Sequence, residues 1–576
     1  MTAFKVLILG GYGTFGGRLA QLLADEERLT LVIAGRSLAR ARAFCTTLPP
    51  AAELATFDRD GDVEQQLREI APDIVVDATG PFQSYGADPY RVVRAAITLG
   101  IDYLDLADGS GFVKCIVRFD GEARARGVFV LAGVSSFPVL TAAVVRKLAH
   151  GMARVDSVTG GIAPSPYANV GINVIRAIAS YAGKPVAMIR EGRKAKRYAL
   201  IDSWRYTIAP PGQLPLYPVR FSLVDVPVLE MLPELWPSLR SVWMGAGPAP
   251  EIWHRALNVL AWLVRLKLLP SLSPFAPLMY RAINTLSWGE HRGGMFVAVE
   301  GEGATGERIE RSWHLVAEGN DGPLIPSMAA EAIIRNCLAG RRPALGARPA
   351  ATELELADYE PLFARKRITT GYRQSALGNE RTSLYRSLLG DAWNSLPQPL
   401  QAMHDVDHEL SADGVATVER GEGLLARLLA WVIGFPRAGK EIPVTVSFQV
   451  KDGCEHWKRT FAGRSFASTQ EPGRGRFERL LCERFGPFNF GMALVCDEGR
   501  IRLVTRRWSL FGIPLPPALA PRSNAYEFAQ DGRFHFHVEI GHPVTGLIVR
   551  YRGWLVPQNV NSTTSGWAAA RATAHA

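Results

Sequence analysis

Cysteine is scarce in this chain. Its 576 residues include six cysteines, and none of them forms a C-x-x-C pair or has the spacing of metal ligands. This excludes a disulfide-stabilised scaffold and a zinc-finger type of site. It favours reduced thiols and a cytoplasmic location.

Long apolar runs and charge of one sign are also lacking. No window reaches roughly 18 uninterrupted apolar residues, so we predict no membrane-spanning helix, and the short N-terminal run Val6 to Leu9 is no signal peptide. The 65 basic and 55 acidic residues leave a net charge of +10. Spread over so long a chain, this excess does not predict a nucleic-acid partner. The length corresponds to about three globular domains.

A glycine-rich motif is present, and it lies between a predicted strand and a predicted helix. Lys5 to Leu9 is an apolar run typical of a central parallel strand, Arg18 to Asp25 is periodic like a helix, and Leu29 to Ala34 is a second strand. A G-x-G-x-x-G motif in a βαβ unit is the context that favours dinucleotide binding. We expect the cofactor to contact Gly11, Tyr12, Gly13, Thr14, Phe15 and Gly16.

The end of the second predicted strand indicates which dinucleotide binds. NAD enzymes usually carry an acidic residue there for the ribose 2′-OH, whereas this chain has Arg36 and then Ser37. A guanidinium can pair with a 2′-phosphate, so we predict that NADP(H) is preferred over NAD(H). The alternative is a solvated Arg36 at a site that accepts both.

Three further buried strands, at Asp73–Ala78, Ile101–Leu106 and Val128–Gly133, alternate with helical segments. This order predicts a doubly wound parallel sheet, which binds ligands at the carboxyl ends of its strands. Those ends carry further expected cofactor contacts at Thr79, Gly80 and Pro81. They also carry the weak catalytic candidates, which alternatively contact the cofactor or cap helices: Tyr85, Tyr103, Asp105, Ser135 and Ser136.

The segments GGYGTFG, AGRS, DATGPFQSYG, YLDLAD and AGVSSFP follow one another in this order. Together they resemble the NADP-binding domain of saccharopine-dehydrogenase-like proteins, and residues 291–306 and 319–333 resemble that family's second domain. The resemblance covers about residues 1–365. It implies a Rossmann domain over 1–138, an α+β substrate or dimerisation domain over 139–365, and NAD(P)-linked chemistry.

The chain departs from the family pattern at two places that the resemblance puts beside the nicotinamide. It has Ser135-Ser136-Phe137-Pro138 where relatives carry an acidic residue ahead of Ser-x-Pro, and Asp108-Gly109 where relatives carry Gly-Glu. Saccharopine needs several charged partners. We therefore do not expect saccharopine itself to be the substrate.

Residues 252–283 form an amphipathic, basic segment without an acidic residue. Apolar positions from Ile252 to Leu263 recur at helical spacing, Trp262 lies at their border, and Pro270 ends the helix. Such a segment suits a peripheral membrane contact. A dimer interface, a lid over an apolar substrate and an ordinary core helix are the alternatives.

The last third of the chain predicts a separate, mainly antiparallel β domain over 382–557. A helix at Gly423–Ile433 precedes six alternating strands between Val444 and Trp554, which suggests an antiparallel sheet, half-barrel or barrel. The sequence there resembles domain of unknown function 4166, a resemblance that implies no activity. We expect residues 558–576 to be a disordered tail.

A metal site is not predicted, although one strand of this region carries alternating histidines. His535, His537 and Glu539 share a strand face, but no other acid or histidine has matching spacing.

The sequence therefore predicts an NADP(H)-dependent oxidoreductase acting on a small or hydrophobic, lipid-like substrate. The alternative is a non-catalytic NADP(H)-binding protein whose C-terminal domain binds a lipid or a protein partner. A homodimer and a peripheral position at the inner face of the membrane are left open.

Overall fold

A computed structural model describes residues 3–48, 52–82, 85–376 and 382–558. The described residues fall into two compact units. The first unit takes them from Met1–Ile208, Val219–Thr370 and Gln374–Leu377, and the second from Ala209–Pro218, Gly371–Arg373 and Gly378–Ala576. The predicted tail after residue 558 lies outside the described residues.

The first part of the chain alternates strands and helices. Its strands are β1 (Phe4–Leu9), β2 (Leu29–Gly35), β3 (Ala52–Thr56), β4 (Ile74–Asp77), β5 (Asp102–Asp105) and β6 (Phe129–Ala132). Its helices are α1 (Thr14–Leu23), α2 (Leu38–Cys45), α3 (Val63–Ile70), α4 (Arg91–Leu99), α5 (Ser110–Cys115), α6 (Asp120–Arg126) and α7 (Thr141–Ala149).

The second part adds an α+β layer. Its strands are β7 (Arg154–Ala163), β8 (Pro185–Arg190), β9 (Arg193–Tyr198), β10 (Ser203–Tyr206), β11 (Val219–Leu223), β12 (Ser241–Ala246), β13 (Arg292–Glu302), β14 (Arg308–Glu318), β15 (Gly346–Pro349) and β16 (Ile368–Ala376). Its helices are α8 (Ile172–Tyr181), α9 (Val228–Leu235), α10 (Glu251–Arg265), α11 (Ala276–Thr285), α12 (Ile325–Leu338) and α13 (Leu356–Ala364).

The last part is rich in strands. Three helices, α14 (Leu384–Leu389), α15 (Gln398–His404) and α16 (Leu424–Ile433), accompany them. The strands are β17 (Glu409–Arg420), β18 (Gly439–Lys451), β19 (Cys454–Phe461), β20 (Arg464–Pro472), β21 (Leu481–Phe485), β22 (Phe488–Asp497), β23 (Arg500–Leu510), β24 (Ile513–Leu515), β25 (Arg522–Gln530), β26 (Arg533–His542) and β27 (Gly546–Pro557).

The first sheet has the order β15-β6-β5-β4-β1-β2-β3 with parallel pairing. Six of these strands follow the 3-2-1-4-5-6 order of a Rossmann fold, so the predicted doubly wound sheet is confirmed. The interior strands are mostly apolar, as expected for strands covered on both faces, with buried aspartates at Asp77, Asp102 and Asp105. The crevice where the strand order reverses lies between β1 and β4.

The second sheet is mixed, as an α+β domain requires. Its order is β10-β11-β12-β7-β13-β14-β16. The pair β12–β7 is parallel, whereas the pairs β11–β12, β7–β13 and β13–β14 are antiparallel. None of the helices in the described part of the chain is both long and apolar enough to cross a bilayer.

The strands of the second unit form one closed antiparallel sheet. Ten strands run in the order β22-β21-β20-β19-β18-β17-β27-β26-β25-β23, and β23 pairs again with β22. The predicted antiparallel domain is confirmed, but the number of strands is larger than the six that the sequence indicated. The missed strands, such as β17 and β20, carry polar and small residues at inward positions, so their alternation is weak.

Candidate functional site

The glycine loop turns directly from β1 into α1. Gly10 has a φ of +71°, in the left-handed region that favours glycine. The amides of Gly10 and Gly11 donate to the Ala34 carbonyl over 2.9 and 3.1 Å, which ties the loop to the end of β2. A Cβ at Gly13 or Gly16 would lie 2.9 or 2.4 Å from the Gly10 carbonyl oxygen. The loop therefore tolerates no side chain at these two positions.

Helix α1 begins at Thr14, four residues earlier than the sequence pattern predicted. Gly13 is its N-cap and provides no side-chain hydrogen bond, so the amides of the first turn keep their donor capacity. Such an N-terminus is suited to a phosphate group. The bare loop and the uncapped helix together fit the pyrophosphate of a dinucleotide.

The end of β2 brings together Tyr12, Arg36 and Ser37, three of the predicted cofactor residues. The Ser37 amide donates to the Tyr12 hydroxyl over 3.0 Å, and a Cβ at Gly35 would lie 2.5 Å from that oxygen. The Arg40 guanidinium lies over the Tyr12 ring, 5.1 Å from its centre. Arg36 is exposed and forms no ion pair within the described part of the chain. Its charge can therefore meet a 2′-phosphate.

Thr79 is held by a polar network at the carboxyl end of β4. The buried Asp77 accepts from the Thr79 amide over 3.0 Å and from the Arg59 guanidinium over 2.6 Å. The Thr79 and Tyr85 hydroxyls are 2.6 Å apart, and Arg59 lies 3.4 Å from the centre of the Tyr85 ring. Burial raises the pKa of Tyr85 and keeps it protonated. Tyr85 thus has a positioning role at the loop Thr79–Pro81.

Helix α8 lies over this crevice. The Asn173 amide group donates to the Gly80 carbonyl over 2.8 Å, and the Arg18 guanidinium donates to the Ala168 carbonyl over 2.9 Å. A Cβ at Gly171 would lie 2.2 Å from the Thr14 hydroxyl oxygen. The segment leading into α8 therefore packs on the glycine loop and on the loop after β4.

Three of the five weak catalytic candidates are enclosed. Tyr103 and Asp105 are buried on β5, and Asp105 accepts from the amides of Ala107 and Gly133 over 3.0 and 2.8 Å. Burial raises the pKa of Asp105 to about 7. Ser136 is buried, whereas Ser135 and Tyr85 are partly exposed. Asp105 thus connects the loops after β5 and β6, in the position of a structural residue.

A carboxyl group that the sequence pattern did not indicate lies beside the loop after β5. The Ser110 hydroxyl donates to Asp225 over 3.1 Å, and burial raises the pKa of Asp225. Burial also raises the pKa of Tyr181, and the charges of Asp108 and Asp225 raise it further. Asp225 follows β11 at 115 residues from Ser110, so no local motif could have revealed it.

The amphipathic segment 252–283 presents its apolar residues outward. Helix α10 buries His254, Ala261 and Val264, whereas Ile252 and Val259 are 61% and 60% exposed. The apolar stripe is therefore not that of an ordinary core helix. The Nε2 of His254 lies 2.8 Å from the Ser222 hydroxyl, which fastens the polar side of α10 to β11.

The alternating histidines of β26 have ring partners. His535 stacks on Phe528 with centroids 5.2 Å apart, and His537 stacks on Tyr526 at 4.8 Å. Glu539 accepts from Arg550 over 2.6 Å. Within the described ranges no three His, Cys, Asp or Glu side chains are grouped as metal ligands.

The crevice, the glycine loop and the exposed arginine match a known type of domain. Residues 6–127 match the family model described as Saccharopine dehydrogenase NADP binding domain. This match confirms the resemblance and the predicted cofactor, NADP(H). A saccharopine dehydrogenase-type NADP-binding domain supports an oxidoreductase. Residues 396–555 match the model described as Domain of unknown function (DUF4166).

Solved structures of dehydrogenases show a weaker similarity. Saccharopine dehydrogenase (L-Glu forming) from Saccharomyces cerevisiae is 15% identical, with a TM-score of 0.46, over 65% of this chain and 100% of that chain. GenD2 from gentamicin A biosynthesis, in complex with NAD, is 12% identical, with a TM-score of 0.31, over 60% and 89%. No curated protein matched. TM-scores below 0.5 are too low to carry residue roles across to this chain.

Proposed function

We propose that this protein is an NADP(H)-dependent oxidoreductase that transfers hydride to or from a small or hydrophobic substrate. The observation that carries the proposal is the pairing of a bare glycine loop and an uncapped helix with an exposed arginine at the end of β2. The amides of α1 would hold the pyrophosphate and Arg36 the 2′-phosphate. When bound, the nicotinamide supplies the hydride.

The loop Thr79–Pro81 would border the nicotinamide end of the crevice, because it ends the strand beside β1. The loop is held by its contacts with Arg59, Asp77 and Tyr85, which would keep it in one position during turnover. Asn173 fixes it from α8. These contacts orient the reacting groups, a contribution that the enzyme makes before chemistry begins.

Asp225 is the group that we assign to proton transfer. It is partly buried beside the loop after β5, and burial raises its pKa above the usual carboxyl value. A general acid is most effective when its pKa is near the working pH. We expect Asp225→Asn to lower kcat by about 10²-fold or more without weakening NADPH binding. Glu234→Gln, which removes an exposed carboxyl of α9, serves as the control.

The cofactor experiment is a fluorescence titration with NADPH and NADH. Arg36→Ala is expected to weaken NADPH binding at least about tenfold, because a charge-assisted pair is lost, and to leave NADH binding unchanged. Arg42→Ala, an exposed arginine of α2, should bind both as the wild type does. Equal affinity of the wild type for both nucleotides would contradict the role of Arg36.

Oxidation of NADPH separates the enzyme from the non-catalytic alternative. The purified chain would be screened with hydrophobic carbonyl and enoyl compounds as acceptors. Turnover that Asp225→Asn lowers supports the enzyme. Tight NADPH binding without turnover on any acceptor favours a protein that only binds the nucleotide.

A second candidate function is a peripheral contact with a lipid surface, and the outward apolar face of α10 favours it. Leu266, Leu268 and Leu278 continue the exposed apolar surface. The Asn284 side chain of α11 donates to the Val170 carbonyl over 3.3 Å, which attaches α11 beside α8. Arg265 and Lys267 supply positive charge for anionic headgroups.

Flotation with anionic liposomes at low salt tests this contact. We expect the wild type to float and Arg265→Glu with Lys267→Glu to remain behind, because the reversed charges repel the headgroups. Arg193→Glu with Lys194→Glu, on the exposed hairpin of β8 and β9, is the matched control. A wild type that stays at the bottom would rule out the contact.

A further inference from the structure

The closed sheet of the second unit encloses an apolar cavity of about 280 Å³. Its wall is mostly aromatic and aliphatic, with contributions from Phe448, Trp457, Phe490, Trp508 and Phe536. A cavity of this size has room for several waters. A cavity lined in this way is poorly suited to holding them, because apolar walls offer water few partners.

Two buried polar atoms on the wall have no hydrogen-bond partner among the described residues. They are the Tyr385 hydroxyl and the Gln470 side-chain oxygen, on residues that are 0% and 1% exposed. Leaving such atoms without a partner is unfavourable, because each has lost its hydrogen bonds to water. Burial, together with the carboxylates of Glu527 and Glu483, raises the pKa of Tyr385 and keeps its hydroxyl protonated. The cavity thus offers both a donor and an acceptor.

The two carboxylates that line the cavity with these atoms already have partners. Glu483 accepts from Arg459 over 2.9 Å and from the Ser468 hydroxyl over 2.6 Å. Glu527 lies 2.8 Å from the Nε2 of His404. Arg459 lines the same cavity, but its charge is already balanced by Glu483, so a neutral group is favoured over an anionic one.

The cavity extends to one end of the closed sheet. Leu429 and Ile433 of α16 line it, and the strand pairing places α16 at the same end as the turn between β26 and β27. On the outer side of α16, Leu424 and Trp431 are 85% and 69% exposed. An apolar molecule can therefore approach the cavity past apolar side chains.

We propose that this cavity binds a neutral amphiphile with an aliphatic part and one hydroxyl group. A hydroxyl both donates and accepts, so it is able to pair with the Tyr385 hydroxyl as well as with the Gln470 oxygen. The apolar part would fill the aromatic remainder of the cavity. This site is separate in the chain from the nucleotide crevice and does not depend on the proposed oxidoreductase activity.

Isothermal titration calorimetry of the full chain with 1-octanol tests the proposal. We expect saturable binding with a negative heat-capacity change, the sign of apolar burial. Octyl methyl ether, which lacks the donor, is expected to bind about fivefold more weakly. Tyr385→Phe and Gln470→Leu should each reduce the difference between the two ligands.

Cavity filling provides the control for folding. Ala525→Phe would place a ring in the cavity and should abolish octanol binding, whereas Ala529→Phe, on the same strand and outside the lining, should preserve it. No octanol binding by the wild type, or unchanged binding by a folded Ala525→Phe variant, would overturn the proposal. Equal affinity for octanol and the ether would overturn the role of the two polar atoms.

The amphiphile can come from solution or from a lipid surface. Transfer of 1-octanol from phosphatidylcholine vesicles, compared with transfer from buffer, distinguishes the two sources. If the double variant Leu428→Ser with Trp431→Ser takes up octanol from vesicles more slowly than the wild type does, the lipid surface is the source, because both exposed side chains lie on α16. Equal rates assign the dissolved ligand, and the cavity proposal holds in both cases.

Discussion

At the scale of single residues, two neighbouring glycines of α1 face different surroundings. Gly16 lies against the backbone of Gly10, where a Cβ would come within 2.4 Å of the carbonyl oxygen. Gly17 lies against the Phe44 ring, where a Cβ would come within 3.2 Å of side-chain carbons. A ring can shift by a few tenths of an ångström, whereas the backbone of the glycine loop cannot without losing its shape.

We therefore expect Gly16→Ala to lower NADPH affinity at least about tenfold and Gly17→Ala to lower it less than about threefold, since only the first displaces the loop that meets the pyrophosphate. Equilibrium titration of both variants by NADPH fluorescence measures this. Circular dichroism shows whether each remains folded. Similar affinities of the two variants would mean that the loop at Gly10 is not part of the nucleotide site.

Asp105 makes stability depend on pH at the same scale. Its pKa of about 7 in the folded protein is above that of an unfolded aspartate, near 3.9. Its contribution to stability is therefore fully present below about pH 4 and is lost as the pH rises through about 7. In the wild type we expect the free energy of unfolding to fall by about 1.4 kcal/mol per pH unit over this window. This pH dependence should be absent in Asp105→Asn.

Denaturant unfolding of the wild type and Asp105→Asn between pH 4 and 8 measures the difference between their slopes. Asp60→Asn, at an exposed position, is the control and should unfold as the wild type does at each pH. Parallel curves for the wild type and Asp105→Asn would show that the carboxyl is ionised throughout.

At the scale of elements, the sequence predicted well where the pattern is local. β1, the glycine motif and the strand end at Arg36 lie within one short stretch, and their roles depend on backbone geometry that glycine and apolar runs reveal. β3 was missed because AELAT is short and only partly buried at the sheet edge. Asp225 was missed because its environment comes from Ser110 and Tyr181, far away in the chain.

Helix α10 is attached by its polar side, which gives the element its own pH response. Burial lowers the pKa of His254 to about 4, below the value near 6.5 of an exposed histidine. The unfolded state takes up the proton first, so this contribution to stability is present above about pH 6.5 and is lost as the pH falls toward 4. Arg220 disfavours the charged ring, and Glu251 favours it.

Hydrogen exchange of the α10 amides at pH 5 and 7.5, corrected for intrinsic rates, tests the attachment. We expect protection in the wild type to fall by about tenfold or more at pH 5, since each pKa unit corresponds to about 1.4 kcal/mol. His254→Gln should show a smaller change, and His150→Gln, at an exposed position, should follow the wild type. Equal pH dependence of protection in all three proteins would show that the titration of His254 does not control the attachment of α10.

At the scale of the whole molecule, the second unit is not a continuous stretch of chain. The Cys496 amide donates to the Gly212 carbonyl over 2.8 Å, and the Arg373 guanidinium donates to the Ala209 and Leu388 carbonyls over 2.8 and 2.9 Å. The predicted domain of 382–557 includes none of Ala209, Gly212 and Arg373. Those domain bounds stay a prediction, and the contacts indicate what a fragment with these bounds would lose.

We expect a fragment of residues 382–558 to melt about 4–8 °C below the same fragment with peptide 209–218 added in excess. The peptide restores contacts worth about 2 kcal/mol, and each kcal/mol shifts Tm by about 2–4 °C in a domain of this size. Differential scanning calorimetry measures the shift. A peptide with scrambled sequence is the control, and an identical Tm with and without the native peptide would contradict the prediction.

The early position of residues 209–218 has a consequence for biosynthesis. Residue 218 leaves the ribosome 340 residues before residue 558, the last described residue of the same unit. At about 5–20 residues per second, that interval lasts between about 17 and 70 s. During this time the nascent chain carries a proline-rich stretch, APPGQLPLYP, before the residues that it contacts in the folded unit have been synthesised. Slowing translation after codon 218 should therefore lengthen the exposure of this stretch to proteases and chaperones, because the strands of the closed sheet have not yet been synthesised.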